Sequence, residues 1–257
     1  MKLPLCLLVL LFSLQAMAQY PFEKHPAIKA KVYPTGYVID RQGKKDLYNY
    51  DINHYITIPR FFGGTERARL TVTPPDTSGV ATIKIHRGTG KRKRLMGLYH
   101  FGDFATIERF YVADYNQDGL PDIKFILPFF GCGAFNYYCP VVYFLQNRDG
   151  SLSQVSFSDL LLYDYQNRPE RDLDGDGVYE IVVCSFQNYK KHNYLLFDLY
   201  HLQGNKLVNV NSKFNYPIMV QLLYKDNYKI TKHLTRKQMR QFSRKLPDDY
   251  STEKLQY

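Results

Sequence analysis

The chain has 257 residues, 45% hydrophobic and 16% aromatic, with 23 Tyr, 17 Phe and no Trp, and a formal net charge of +10. That length and apolar content exclude a disordered or fibrous chain and allow one domain with a sizeable core; the aromatic bias favours strands. The charge points to an acidic partner or an anionic surface and does not by itself single out nucleic acid.

At the N-terminus, Lys2 is followed by the uncharged run LPLCLLVLLFSL and then by QAMA, with Ala16 and Ala18 at small-residue positions. This is the pattern of a secretory signal peptide over residues 1–18, too short for a membrane span. It predicts cleavage after Ala18, a mature chain from Gln19, and a secreted or periplasmic protein. No later segment is apolar for long enough to cross a bilayer, so no transmembrane segment is expected. An exported protein of this kind is not expected to have a nucleic-acid partner either.

Residues 19–247 read as one β-rich repeat domain. KVYPTGYVID, RLTVT, VATIKIHR, RFYVAD, DIKFIL, PVVYFLQ, YEIVVCSF, YLLFDLYHL and KLVNV are strand-like runs bounded by Gly, Asn, Asp or Pro. HRGTGK, NRDGS and LQGNK read as hairpin turns. The KRKR run at Lys91–Arg94 fits a solvated hairpin end better than a polyanion site. GTGK is not a phosphate loop, since the upstream Gly is missing and Arg92 stands where Ser or Thr is needed.

Two stretches carry a denser pattern. ADYNQDGLPDIKFIL places Asp114, Asn116, Asp118, Gly119 and Asp122 in the same order as Asp172, Asp174, Asp176, Gly177 and Glu180 in RDLDGDGVYEIVV. Both fit D-x-[DN]-x-D-G-x-x-[DE]. Positions 1, 3 and 5 turn side-chain oxygens inward, and Gly at position 6 permits a sharp bend. Position 7 offers a backbone carbonyl (Leu120, Val178), and position 9 adds a carboxylate. Such an oxygen cage suits Ca²⁺, giving two expected sites. Crowded carboxylates repel one another unless a cation lies between them. These are not EF-hands: position 12 is Phe125 or Val183, and a strand rather than a helix follows. A metal-free Asp/Asn-Gly turn is the plainer alternative.

Three cysteines lie beyond the signal peptide. Export permits disulfides, and the short GCGAFNYYCP loop predicts a Cys132–Cys139 bridge, leaving Cys184 over. Near the C-terminus, LTRKQMRQFSRKL (234–246) predicts one short helix with Thr235 as N-cap. Met239, Phe242 and Leu246 lie on one face, which caps the sheet. Residues 248–257 read as a flexible tail.

The likeness of the two loops extends beyond them. They start at Asp114 and Asp172. In each, strand, loop, strand, Gly turn (Gly150, Gly204) and strand follow. The repeat is about sixty residues long, with units near 108–157 and 166–212. VATIKIHRGTGKRKRLMGLYHF reads as a degenerate unit upstream.

DYNQDGLPDIKF and DLDGDGVYEIVV resemble the calcium loops of FG-GAP and VCBS repeats, which build integrin-α-type β-propellers. The resemblance covers roughly residues 110–210. It implies an all-β fold of repeated antiparallel sheet units, calcium on the loops, and a role in adhesion or recognition. A seven-bladed ring would need a longer chain, so a small propeller-like architecture is the expectation. The size, export signal and paired loops also resemble small periplasmic calcium-loop proteins that inhibit peptidoglycan hydrolases as immunity proteins. The function this implies is an exported, non-catalytic, calcium-binding protein that recognises an acidic protein or a glycan. The alternative is a secreted glycan hydrolase on a calcium-stabilised β-scaffold. For catalysis the signal is thin: the seven His are scattered, and none forms HExxH or neighbours a GxSxG elbow.

Overall fold

The computed structural model describes residues 25–35, 53–88, 90, 93–102, 107, 109–127, 138–160, 169–221 and 234–256. Within them the fold is all-β, with antiparallel strands and two short helices. After β1 (Lys31–Pro34), a meander of β2 (His54–Ile58), β3 (Ala68–Thr73), β4 (Val80–Arg87) and β5 (Arg94–Gly102) makes the first sheet. A second meander runs through β6 (Arg109–Ala113), β7 (Asp122–Ile126), β8 (Tyr138–Gln146) and β9 (Leu152–Leu160). The third sheet holds β10 (Glu180–Tyr189), β11 (His192–Gln203), β12 (Lys206–Asn209) and β13 (Ile218–Gln221). The last strand, β14 (Ser251–Leu255), joins the second sheet at β9, while β1 joins it at β6, giving six strands.

Period-two alternation sorts the strands into layers. Ile56, Leu70, Ile83 and Ile85 of the first sheet pack against Phe110, Phe125, Val142 and Phe144 of the second. The opposite face of the second sheet packs Val141, Tyr143, Val155 and Phe157 against Ile181, Val183, Tyr200 and Leu202 of the third. The middle sheet is therefore covered on both faces, which is why all five residues of β7 are buried. The third sheet is sealed to the second by side chains at its edge. Cys184 N–H donates to Asp159 Oδ1 (2.7 Å), and Phe186 N–H to the Tyr138 hydroxyl (3.0 Å).

The hairpin turns expected at Gly150 and Gly204 are present, each with a left-handed glycine (φ +78° and +56°). β11 is longer than its neighbours. Its second edge is shared, β12 pairing with Tyr200–Gln203 and β13 with Tyr194–Phe197. Between them lies α1 (Asn211–Phe214), which the sequence reading did not include.

Two sequence expectations need correction. The C-terminal helix, α2 (Arg236–Arg240), is much shorter than 234–246. Thr235 does cap it, in a capping box with Gln238. Met239 and Phe242 pack against the cluster of Tyr194 and Leu196, but Leu246 is 38% exposed. The chain turns away there because Arg244 N–H is drawn to Asp198 Oδ1, and its carbonyl accepts from Tyr200 and Asn209. Nor is the expected tail, 248–257, flexible over its described residues, 248–256. Its β14 pairs with β9 over five residues, and Leu255 is buried in the first core. The Ser158 N–H bond to Asp248 O (2.9 Å) and the Leu207 N–H bond to the Tyr250 hydroxyl (3.2 Å) hold the approach to it.

The expected signal peptide (1–18) lies outside the described residues, as does Cys132 of the expected disulfide. Cys139 is buried on β8 and Cys184 on β10. No helix among the described residues is long and apolar enough to cross a membrane.

Candidate metal centre

Each acidic loop is closed at its base by a β-pair and leads directly into a strand. The first spans from the end of β6 to the start of β7, closed by the Ala113–Asp122 pair. The second is closed by an isolated bridge between Arg171 and Glu180 at the start of β10.

The loops fold alike, position by position. At position 6, Gly119 and Gly177 have φ of +89° and +85°, and their N–H groups donate to Asp114 Oδ2 (2.9 Å) and Asp172 Oδ2 (3.1 Å). At position 7, the N–H groups of Leu120 and Val178 donate to Asp118 Oδ1 (2.9 Å) and Asp176 Oδ1 (2.8 Å). At position 9, Asp122 Oδ2 and Glu180 Oε2 accept from Tyr115 and Leu173 N–H, each at 2.9 Å. Position 4 is left-handed in both, as Gln117 in one and Gly175 in the other. Asp and Gly at these places are thus explained by the turn itself, since short carboxylates satisfy the backbone donors of a tight bend.

The second loop does more than turn. Asp172, Asp174 and Asp176 each offer a carboxylate oxygen, and the three lie within 4.8 Å of one another. Ca²⁺ at about 2.3–2.6 Å from each oxygen spans that separation. Among the described residues this is the one such group of acidic, His or Cys side chains. Glu180 stands outside it: its side chain is turned to Leu173, and burial pushes its carboxyl up to about 7.

The first loop is less complete as a cage. Asn116 Oδ1 accepts from Asp118 N–H (3.3 Å), and Asn116 Nδ2 reaches Asp118 Oδ2 at 3.4 Å. Asp122 is fully buried, with Oδ1 taking Gln146 N–H (2.8 Å), and burial raises it to about 8. Position 9 of both loops therefore serves first as a backbone anchor between turn and strand.

Two features were not legible in the pattern. Lys213 of α1 sets its ammonium 2.6 Å from Asp174 and 2.9 Å from Asp176, holding the Asp176 carboxyl below its ordinary range. The chain thereby supplies its own cation beside the carboxylates, one that a metal ion would displace. The loops also touch: the Gln117 side chain donates to the Gly177 carbonyl. The two acidic turns sit side by side where the second and third sheets meet.

No family model, curated protein or solved structure matches the chain.

Proposed function

We propose that this protein is an exported, non-catalytic recognition protein, stabilised by calcium on its two acidic loops and holding an acidic protein or a glycan partner. The observation that carries the reading is the convergence of Asp172, Asp174 and Asp176 within 4.8 Å, in a loop whose backbone repeats that of its sibling. Three carboxylates at that spacing suit a hard divalent ion with oxygen ligands. In the first loop, Asp114, Asn116 and Asp118 supply the matching oxygens. By its resemblance to the small periplasmic calcium-loop group, the partner class includes a cell-wall hydrolase, with this protein as its inhibitor.

Calorimetric titration with Ca²⁺ tests the metal half. The wild type takes up the ion, and Asp174→Asn removes the tighter binding step while Asp118→Asn removes the weaker. The same ion raises the melting temperature, by about 2.7 kcal/mol of stabilisation at a hundredfold excess over Kd. A protein that shows neither heat nor a chelator-sensitive melting temperature has two plain turns and no metal site.

A further inference from the structure

A cavity of about 350 Å³ opens beside the acidic loops, between the segment that carries β1, the β6–β7 pair, and Pro169–Arg171. Its walls include Ile28, Val32, Tyr111 and Tyr115, and Lys124 and Glu170 lie at its base. Small-ligand sites of roughly 300–1,000 Å³ with apolar walls and a few convergent polar groups are the usual form of a recognition pocket.

The base is unusual for a structural interior. Lys124 and Glu170 are 5% and 3% exposed and form an ion pair. Glu170 Oε1 accepts from both the Lys124 ammonium and the Tyr143 hydroxyl, and neither bond uses Oε2. The ammonium also lies over two rings, 5.9 Å from the centre of Tyr115 and 5.6 Å from that of Tyr143. Burying such a pair costs more desolvation than an apolar pair of the same volume, so stability alone does not account for it. The mouth is apolar: Val32 is 46% exposed on the edge strand β1. The frame is rigid, since Ile28 N–H donates to Glu170 O (2.9 Å), Asp172 N–H to Pro26 O (3.0 Å), and Arg171 Nη1 to His25 O (2.6 Å).

Charge selects the occupant. A cation entering this site meets Lys124 and Arg171, and an anion meets Glu170. A neutral ring with adjacent hydroxyls meets neither penalty. We infer that this pocket binds a neutral pyranose unit of a glycan, one hydroxyl donating to Glu170 Oε2 and the apolar C–H face of the ring lying on the half-buried Tyr111, with Tyr115 as the buried wall behind it. The inference rests on the recognition reading for its choice of binding over catalysis, and it narrows the partner to a carbohydrate. No side chain offered to the sugar is a ligand of either proposed calcium cage, although the backbone N–H of Asp172 helps to frame the pocket.

Isoleucine-methyl NMR of the full mature chain, titrated with cellotetraose and with chitotetraose in chelator and again in calcium, tests it. At least one tetramer is expected to shift the methyl signals of Ile28 and Ile126 saturably in both conditions. Tyr111→Ala and the rim change Val32→Asp are each expected to weaken that binding by about tenfold. Val32→Asp keeps the test decisive if Tyr111→Ala melts early, because Val32 lies at the surface. Glu170→Gln retains an oxygen acceptor but loses its charge, so it weakens binding less than Tyr111→Ala. No shift of Ile28 and Ile126 with either sugar, or an affinity within twofold of wild type in Val32→Asp, overturns the pocket. Sugar binding that persists in a protein silent to calcium removes the metal reading alone, and calcium binding without sugar shifts removes the pocket alone.

Discussion

Gly97 of β5 sets how closely the first two sheets approach. A Cβ there would lie 3.0 and 3.3 Å from the Phe144 ring and 3.4 Å from Ile85 Cδ1. Phe144 is fully buried and tilted against Phe125 at 5.9 Å, so it has little room to give. Gly97→Ala should cost about 1–3 kcal/mol, seen as a lower urea midpoint at unchanged slope. An unchanged midpoint would show that the ring moves freely. Asp198 poses a different problem at the same scale. It is 2% exposed, takes hydrogen bonds from Asn211 Nδ2 (2.6 Å) and Arg244 N–H (3.3 Å), and is pushed up to about 6 by burial. Its folded value lies above its unfolded one, so its contribution is present below about pH 4 and lost as the pH rises through about 6. Asp198→Asn cannot titrate. Wild type should therefore lose stability relative to the variant between about pH 4 and pH 7, by up to roughly 3 kcal/mol. Melting curves of the two proteins that stay parallel across that range would contradict the assignment.

Helix α1 exists to place one side chain and anchor another. Asn211 accepts from Leu199 N–H (2.7 Å) and donates to Asp198 and to Ser243 Oγ (2.6 Å each), fixing the turn from which Lys213 reaches the second acidic loop. Lys213→Met should lower the melting temperature in chelator, because the Asp174 and Asp176 carboxylates lose their counter-charge. The same variant should gain more from calcium than wild type does, since no ammonium has to be displaced. An equal calcium shift in both proteins would mean that Lys213 and the ion do not compete. None of this could be read from the loop. Asp172 to Glu180 is a contiguous pattern, whereas Lys213 is distant in sequence and carried by a four-residue helix with no periodicity to detect. The pocket was hidden for the same reason, with Lys124 and Glu170 lying 46 residues apart. Elements were legible where turn chemistry and alternation agreed, as for β4 and the Gly150 hairpin, and where a continuous apolar run marked a strand buried on both faces, as for β8. They were not where tertiary pairing decides. Ser251–Leu255 has one inward apolar residue and four exposed ones, and it is a strand only because the edge of β9 accepts it. In α2 the spacing of Met239 and Phe242 was real, but the pull of Asp198 on Arg244 ends the regular face before Leu246.

The layered arrangement has a consequence for how the molecule opens. A sheet with one face bare can detach by breaking one apolar interface, whereas the middle sheet must break two. Tyr55 on the far face of the first sheet is 68% exposed, so that layer is held mainly through Ile56, Leu70, Ile83 and Ile85. The third sheet is held by Ile181, Val183, Tyr200 and Leu202, and by the side-chain seals from Asp159 and Tyr138. On the middle sheet, Phe125 and Phe144 face one core while Lys124 and Tyr143 face the other side, so adjacent residues on one strand report on different layers. Hydrogen exchange should then be slowest for amides in the β7–β8 ladder, which exchange only when the whole domain unfolds. Amides of the β4–β5 hairpin should open at lower free energy with the first sheet, and those of β12, a four-residue strand paired only at Tyr200–Gln203, should open with the third. Calcium adds a second axis to the measurement: an ion held at Asp172–Asp176 should slow exchange in β10 and β12 before it slows β4. If β4–β5 proves the slowest region, the double burial of the middle sheet does not govern the stability of this protein.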